Sequence, residues 1–119
     1  MTMKVAVIAE HDNQFLKSST LNAITAALEF GGTCSLFLLG NSILNIIEQA
    51  KQIEGITNII AIEHERFKEL VAEDITDCLF ETAKEFDVII APANTYGKNF
   101  MPRLAAKFDV NAYSDVISI

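Results

Sequence analysis

Residues 87–106 read DVIIAPANTYGKNFMPRLAA, and the reading of this stretch decides the fold. An apolar, β-branched run, Asp87-Val88-Ile89-Ile90, passes into a short loop with one glycine. A segment with Met101, Leu104, Ala105 and Phe108 at helical spacing follows. A continuous apolar run suits a strand buried on both faces, as in a parallel sheet covered by helices. The spacing predicts a helix from about Lys98 to Phe108. Pro102 is expected in its first turn, where a missing N–H breaks no hydrogen bond.

The same unit recurs along the chain. Apolar runs at 4–9 (KVAVIA), 34–39 (CSLFLL), 58–62 (NIIAI) and 87–91 (DVIIA) read as strands, and 112–119 reads as a fifth through Val116-Ile117-Ser118-Ile119. Ser18 or Ser19 is expected to cap a first helix that buries Leu21, Ile24 and Leu28 and stops at Gly31-Gly32. A second helix after Asn41-Ser42 buries Ile43, Ile46, Ile47 and Ala50 and ends at Gly55. A third, over 66–86, buries Phe67, Leu70, Val71, Ile75, Cys78, Leu79 and Phe86. Its other face carries the acidic stripe Glu69, Glu73, Asp77, Glu81 and Glu85. Five strands alternating with four helices predict an α/β three-layer sandwich around a mainly parallel five-stranded sheet.

At 119 residues and 50% hydrophobic content, the chain fits one domain with one well-filled core. The formal net charge of -7 argues against nucleic acid as principal partner, since polyanions repel an acidic surface. No apolar run approaches the roughly 20 residues of a membrane-spanning helix, so membrane insertion is not expected. Met-Thr-Met-Lys leads directly into the first strand, without the pattern of a targeting segment. The expected location is therefore the cytoplasm of a bacterium, with the mitochondrial matrix as the eukaryotic equivalent. Cys34 and Cys78 sit in apolar or core-spaced settings and read as buried, reduced thiols.

In sheets of this kind ligands bind beyond the carboxyl ends of the strands, where the strand order switches. That edge holds Glu10-His11-Asp12-Asn13, Gly40-Asn41-Ser42, the residues after Ile62, and Pro92–Lys98. NTYGKN has one glycine before Lys98, and Asn99 stands where a phosphate loop needs a hydroxyl, so it is not a Walker A motif. A weaker anion site from Gly97, Lys98, Arg103 and a helix N-terminus remains as an alternative. The expected reading is structural, with Gly97 making a tight turn and both cations facing solvent or a partner. His11 beside carboxylates could serve as a base or metal ligand. Loop capping by Glu10 and Asp12 is the expected account, with His64 a solvated residue at a helix approach. No catalytic residue and no metal ligand set is singled out.

The order of these motifs resembles the electron transfer flavoprotein alpha subunit family. VAVIAEHDNQFLKSSTLNAITAA (5–27) is similar to the family's opening strand, turn and helix, and KQIEGITNII (51–60) to its run into the third strand. DVIIAPANTYGKNFMPRLAAKFDVNAYSDV (87–116) carries the most specific likeness: A-P-x-x-T-x-G-K-N, P-R-x-A and S-D-V. The resemblance implies a nucleotide-binding-like N-terminal domain of the adenine nucleotide alpha hydrolase-like kind over 1–119. It also implies a beta-subunit partner, flavin dehydrogenases as electron donors and a quinone oxidoreductase as acceptor. FAD is implied for a separate C-terminal domain, whose glycine- and serine-rich fingerprint does not occur in these residues. No cofactor is expected on this segment alone, which acts as scaffold and interface. A stand-alone adenine-nucleotide-binding module is the competing expectation, and a small hydrolase of related fold a weaker third.

Overall fold

A computed structural model describes residues 3–69, 71–113 and 116–118. The elements run β1 (Lys4–Ile8), α1 (Ser18–Leu28), β2 (Thr33–Gly40), α2 (Leu44–Ala50), β3 (Asn58–Glu63), a 3-10 turn (Glu65–Lys68), α3 (Ala72–Thr82), β4 (Val88–Ile90), α4 (Thr95–Lys107), β5 (Ala112–Tyr113) and β6 (Val116–Ser118). They form one sheet of order β3-β2-β1-β4-β6-β5. β1 pairs in parallel with both β2 and β4, and β2 with β3. β6 pairs antiparallel with β4 and with β5.

Alternation along buried strands sends successive side chains to opposite faces. Ala6, Ile8, Phe37, Leu39, Ile89 and Ala91 meet the buried residues of α3 and α4, including Ile75, Leu79, Phe100 and Leu104. Val5, Val7, Leu36, Leu38, Val88 and Ile90 meet those of α1 and α2, including Ala23, Ile24, Ala27 and Ile46. The three-layer sandwich follows from two apolar faces, each covered by two helices. Cys34 and Cys78 are free buried thiols whose pKa is pushed up by burial.

The structure revises several expected elements. Among the described residues the final strand is two short ones, which with the four expected before it make six; its expected members Ser114, Asp115 and Ile119 lie outside the described residues. The third helix is a 3-10 turn followed, after extended backbone at Glu69 and Val71, by α3. Phe67 reaches the core from the turn and Ile75 from α3, so two separate pieces produced one apparent period. Val71 is exposed, and Leu70 lies outside the described residues. In α1 the buried stripe is Thr20, Ala23, Ile24 and Ala27, while Leu21 and Leu28 are 47% and 43% exposed. Small residues face the sheet, and Leu28 lies over Gly55 instead. Finally, α4 begins at Thr95, so Pro102 sits inside the helix and not in its first turn. The carbonyl of Lys98 therefore lacks its intrahelical donor, on a stretch where Lys98 and Pro102 are both exposed to water.

Candidate functional site

α1 follows β1 on one face of the sheet and α4 follows β4 on the other, while β1 and β4 are neighbours. The gap beyond their carboxyl ends is the switch point, the place where open α/β sheets take ligands. Two strand-to-helix corners border it.

The first corner, residues 9–17, is closed by its own polar groups. Oδ1 of Asp12 accepts from the N–H groups of Gln14 (2.9 Å) and Phe15 (2.8 Å). These two bonds, that of Phe15 first, hold the Asp12 carboxyl below its ordinary value. His11 is 5% exposed; its Nε2 lies 2.8 Å from the Leu39 carbonyl, and its Nδ1 accepts from the Asn13 N–H at 3.0 Å. Those partners require a neutral ring with the proton on Nε2. Gly40 leaves room for it, because a Cβ there would lie 3.1 Å from both Cε1 and Nε2 of the ring. Asn45 and Gln49 of α2 donate to the carbonyls of Asn13 (3.1 Å) and Gln14 (2.6 Å), so the loop is tied to a second helix.

The second corner, residues 91–97, is short. Asn94 caps α4, its side chain accepting from the Gly97 N–H at 3.3 Å. Gly97 is helical, not the turn residue expected. A Cβ at this position would run into the Pro92 carbonyl oxygen and lie 3.2 Å from the Ala91 side chain. The missing side chain is what lets the helix start this close to the strand it leaves. Tyr96 donates from its hydroxyl to the Ala9 carbonyl at 3.2 Å, and burial, aided by the Glu10 charge, pushes its pKa above the usual phenol value.

Glu10 joins the corners. It is 9% exposed, and its Oε1 accepts from Ser19 Oγ of α1 (2.8 Å) and from Asn94 Nδ2 of α4 (2.5 Å). Lys17 Nζ lies 3.7 Å from Oε2. The Glu10 backbone is held too: its N–H donates to Thr20 Oγ1 (2.8 Å) and its carbonyl accepts from the Lys17 N–H (2.9 Å). Ser19 is thus a Glu10 partner, whereas the expected serine cap of α1 is replaced by Lys17, which makes no side-chain cap bond. Ser19 also lines a mainly apolar hollow of about 210 Å³, together with Asn22, Ala23, Ile90, Ala93 and Val116.

The residues singled out from sequence for an anion site do not converge. Lys98 is exposed, and its backbone N–H bonds the Asn94 carbonyl at 3.0 Å. Arg103 lines a different hollow, with Glu73, Thr76, Asp77 and Lys107, between α3 and α4. The two cations are five positions apart along the helix, about 140° around the axis. His64 is exposed, its Nδ1 accepting from the Arg66 N–H at 3.1 Å to cap the 3-10 turn. The acidic stripe is partly neutralised within the chain: Asp77 meets Lys107 at 2.8 Å, Glu81 meets Lys84 at 3.2 Å, and Glu85 meets Lys4 at 3.9 Å. Among the described residues no group of three His, Cys, Asp or Glu side chains could hold a metal, and no helix is long and apolar enough to cross a membrane. Sequence reasoning missed the Glu10–Asn94 link and Tyr96. The available signal was the position of Glu10 and Asn94 just past two strands that end at one edge.

These features define an open, doubly wound nucleotide-binding-like α/β domain whose switch point is bridged by its own side chains. Residues 5–119 match the family profile described as "Electron transfer flavoprotein domain", and the chain belongs to that family. Among its relatives are the electron transfer flavoprotein subunit alpha of Pseudomonas aeruginosa, 32% identical across 98% of this chain and 38% of the relative, and the mitochondrial subunit alpha of Dictyostelium discoideum, 36% identical across 95% and 34%. A probable mitochondrial subunit alpha of Caenorhabditis elegans is 33% identical across 95% and 35%. The chain spans about a third of the length of the curated relatives it matches.

Proposed function

We propose that the chain is the N-terminal scaffold and interface domain, over residues 1–119, of an electron transfer flavoprotein alpha subunit. In the whole protein this domain pairs with a beta subunit, while FAD is carried by a separate C-terminal domain. The assembled heterodimer takes electrons from flavin dehydrogenases and delivers them to a quinone oxidoreductase. The domain is an electron-carrier component and does no catalysis by itself. It works in a bacterial cytoplasm or a mitochondrial matrix, the settings that relatives of both origins suggest.

The observation that carries this reading is the occupation of the switch point by Glu10, Ser19, Asn94 and Tyr96, partnered with one another or with backbone. A domain whose ligand edge is internally satisfied is suited to support and docking. Among the described residues its two most exposed large apolar side chains, Phe15 at 65% and Leu44 at 70%, stand on the first corner and on the helix tied to it. The test is co-expression of this chain with the beta subunit of the same source. A complex recovered with 1:1 stoichiometry is expected, and the chain purified alone should show no visible flavin absorbance. A stoichiometric flavin bound to the lone 119-residue chain would overturn the assignment of FAD to another domain.

A further inference from the structure

We infer that Glu10 is a built-in anion: its carboxylate occupies the anion position of the β1/β4 switch point and closes that crevice to external phosphate groups. The donors gathered there are those an anion site needs. A hydroxyl from the first turn of α1, a side-chain amide from the cap of α4 and an ammonium from Lys17 converge on one carboxylate at 2.8, 2.5 and 3.7 Å. They come from helices on opposite faces of the sheet, so the cradle exists only at the switch point and not at either helix end alone. α1 has no acidic residue in its first turn and no side-chain cap. Glu10, arriving from the end of β1, is therefore the negative charge that meets the positive end of that helix.

The bound anion is part of the protein itself. Glu10 is 9% exposed and reaches its partners without bending its own backbone out of the strand-end bonds to Thr20 and Lys17. Next to Ser19 is the hollow of about 210 Å³, whose other walls are Asn22 and mostly small or apolar side chains. Removing the carboxylate would leave the Ser19 hydroxyl, which lines this hollow, and the Asn94 amide without their acceptor. That combination is what a small phosphate-bearing ligand requires. This inference concerns the chain alone and does not depend on its partner or on flavin.

The experiment titrates inorganic phosphate, at constant ionic strength set with sodium chloride, into three proteins: the unchanged chain, Glu10→Gln and Glu10→Ser. Backbone and side-chain amide NMR signals of Ser19 and Asn94 report local binding, and thermal unfolding reports its energetic effect. Glu10→Ser should bind phosphate with saturable shifts at both positions. Phosphate at ten times its Kd should raise the folded-to-unfolded ratio about elevenfold. Adding Ser19→Ala to Glu10→Ser should weaken that binding. The unchanged chain and Glu10→Gln, whose side chain still fills the space, should show no saturable shift. If Glu10→Ser does not fold in chloride, phosphate should restore its folded spectrum. The inference is overturned if the unchanged chain binds phosphate at Ser19 and Asn94. It is equally overturned if Glu10→Ser neither binds phosphate there nor is rescued by it.

Discussion

The chain passes from strand to helix twice at the switch point, and the two corners solve the turn by opposite means. The β4–α4 corner uses proximity: Gly97 packs against Pro92 so tightly that no side chain fits between them. The β1–α1 corner uses polarity. Its longer loop contains no glycine and is fixed by His11, Asp12, Asn45 and Gln49, each spending side-chain hydrogen bonds on backbone groups. The difference teaches that a short corner concentrates its specificity in one residue, whereas a long corner distributes it over several. Glu10 and Tyr96 then make the two corners one object, by way of Asn94 and the Ala9 carbonyl.

If that contrast holds, the largest single effect belongs to the tight corner. Gly97→Val should destabilise the chain by about 3 kcal/mol, the upper end of the usual cost of overpacking, read as a lower urea midpoint with unchanged slope. A loss below about 0.5 kcal/mol would show that α4 can shift and that proximity is not what fixes this corner. His11→Leu should come next, at about 2 kcal/mol, because it leaves the buried Leu39 carbonyl and the Asn13 N–H without partners. Asn94→Ala removes both the cap of α4 and a Glu10 partner, with an expected loss of about 1–2 kcal/mol.

Tyr96→Phe should cost about 1 kcal/mol through one part-buried hydrogen bond. Its phenol, raised above the ordinary value of 10.0, stabilises the fold fully below that pH. The contribution is lost as pH rises beyond it, so Tyr96 should ionise only together with unfolding in an ultraviolet titration. The smallest effect belongs to Asp12, exposed in the long corner. Its folded pKa lies below the ordinary 3.8, so its contribution is intact above that value and is lost as pH falls through the lower folded one. Asp12→Asn should flatten this part of the acid unfolding curve by slightly lowering stability near neutral pH, leaving the most acid end unchanged.

The layered fold was legible because runs such as VAVI and DVII can be buried only between two helical layers, and the loops between them carry clear turn residues. Phase was less legible. Leu21 and Leu28 are more hydrophobic than Ala23 and Ala27, yet the alanines face the sheet, since residue size decides what fits there and hydrophobicity alone does not. The start of α4 was misplaced by three residues because Pro102 looked like a helix-opening signal, while the capping Asn94 came earlier. The site itself was half legible. Glu10 and Asn94 could each be placed at the correct edge, but their contact joins residues 84 positions apart and has no local signature. Lys98 and Arg103 drew attention by charge, and helix geometry separates them.

The position of β1 between β2 and β4 also has a consequence in time. β1, α1, β2, α2 and β3 are contiguous in the chain and can assemble as soon as residue 63 is available. The other neighbour of β1 is β4, which lies beyond β3 in the chain, so that pairing follows once the first unit has formed. Until it happens the Glu10 carboxylate waits in water beside Ser19, lacking Asn94. Its burial is expected late in folding, and the Asn94 side-chain amide should gain protection after the amides of β1 and β2 in pulse-labelling hydrogen exchange.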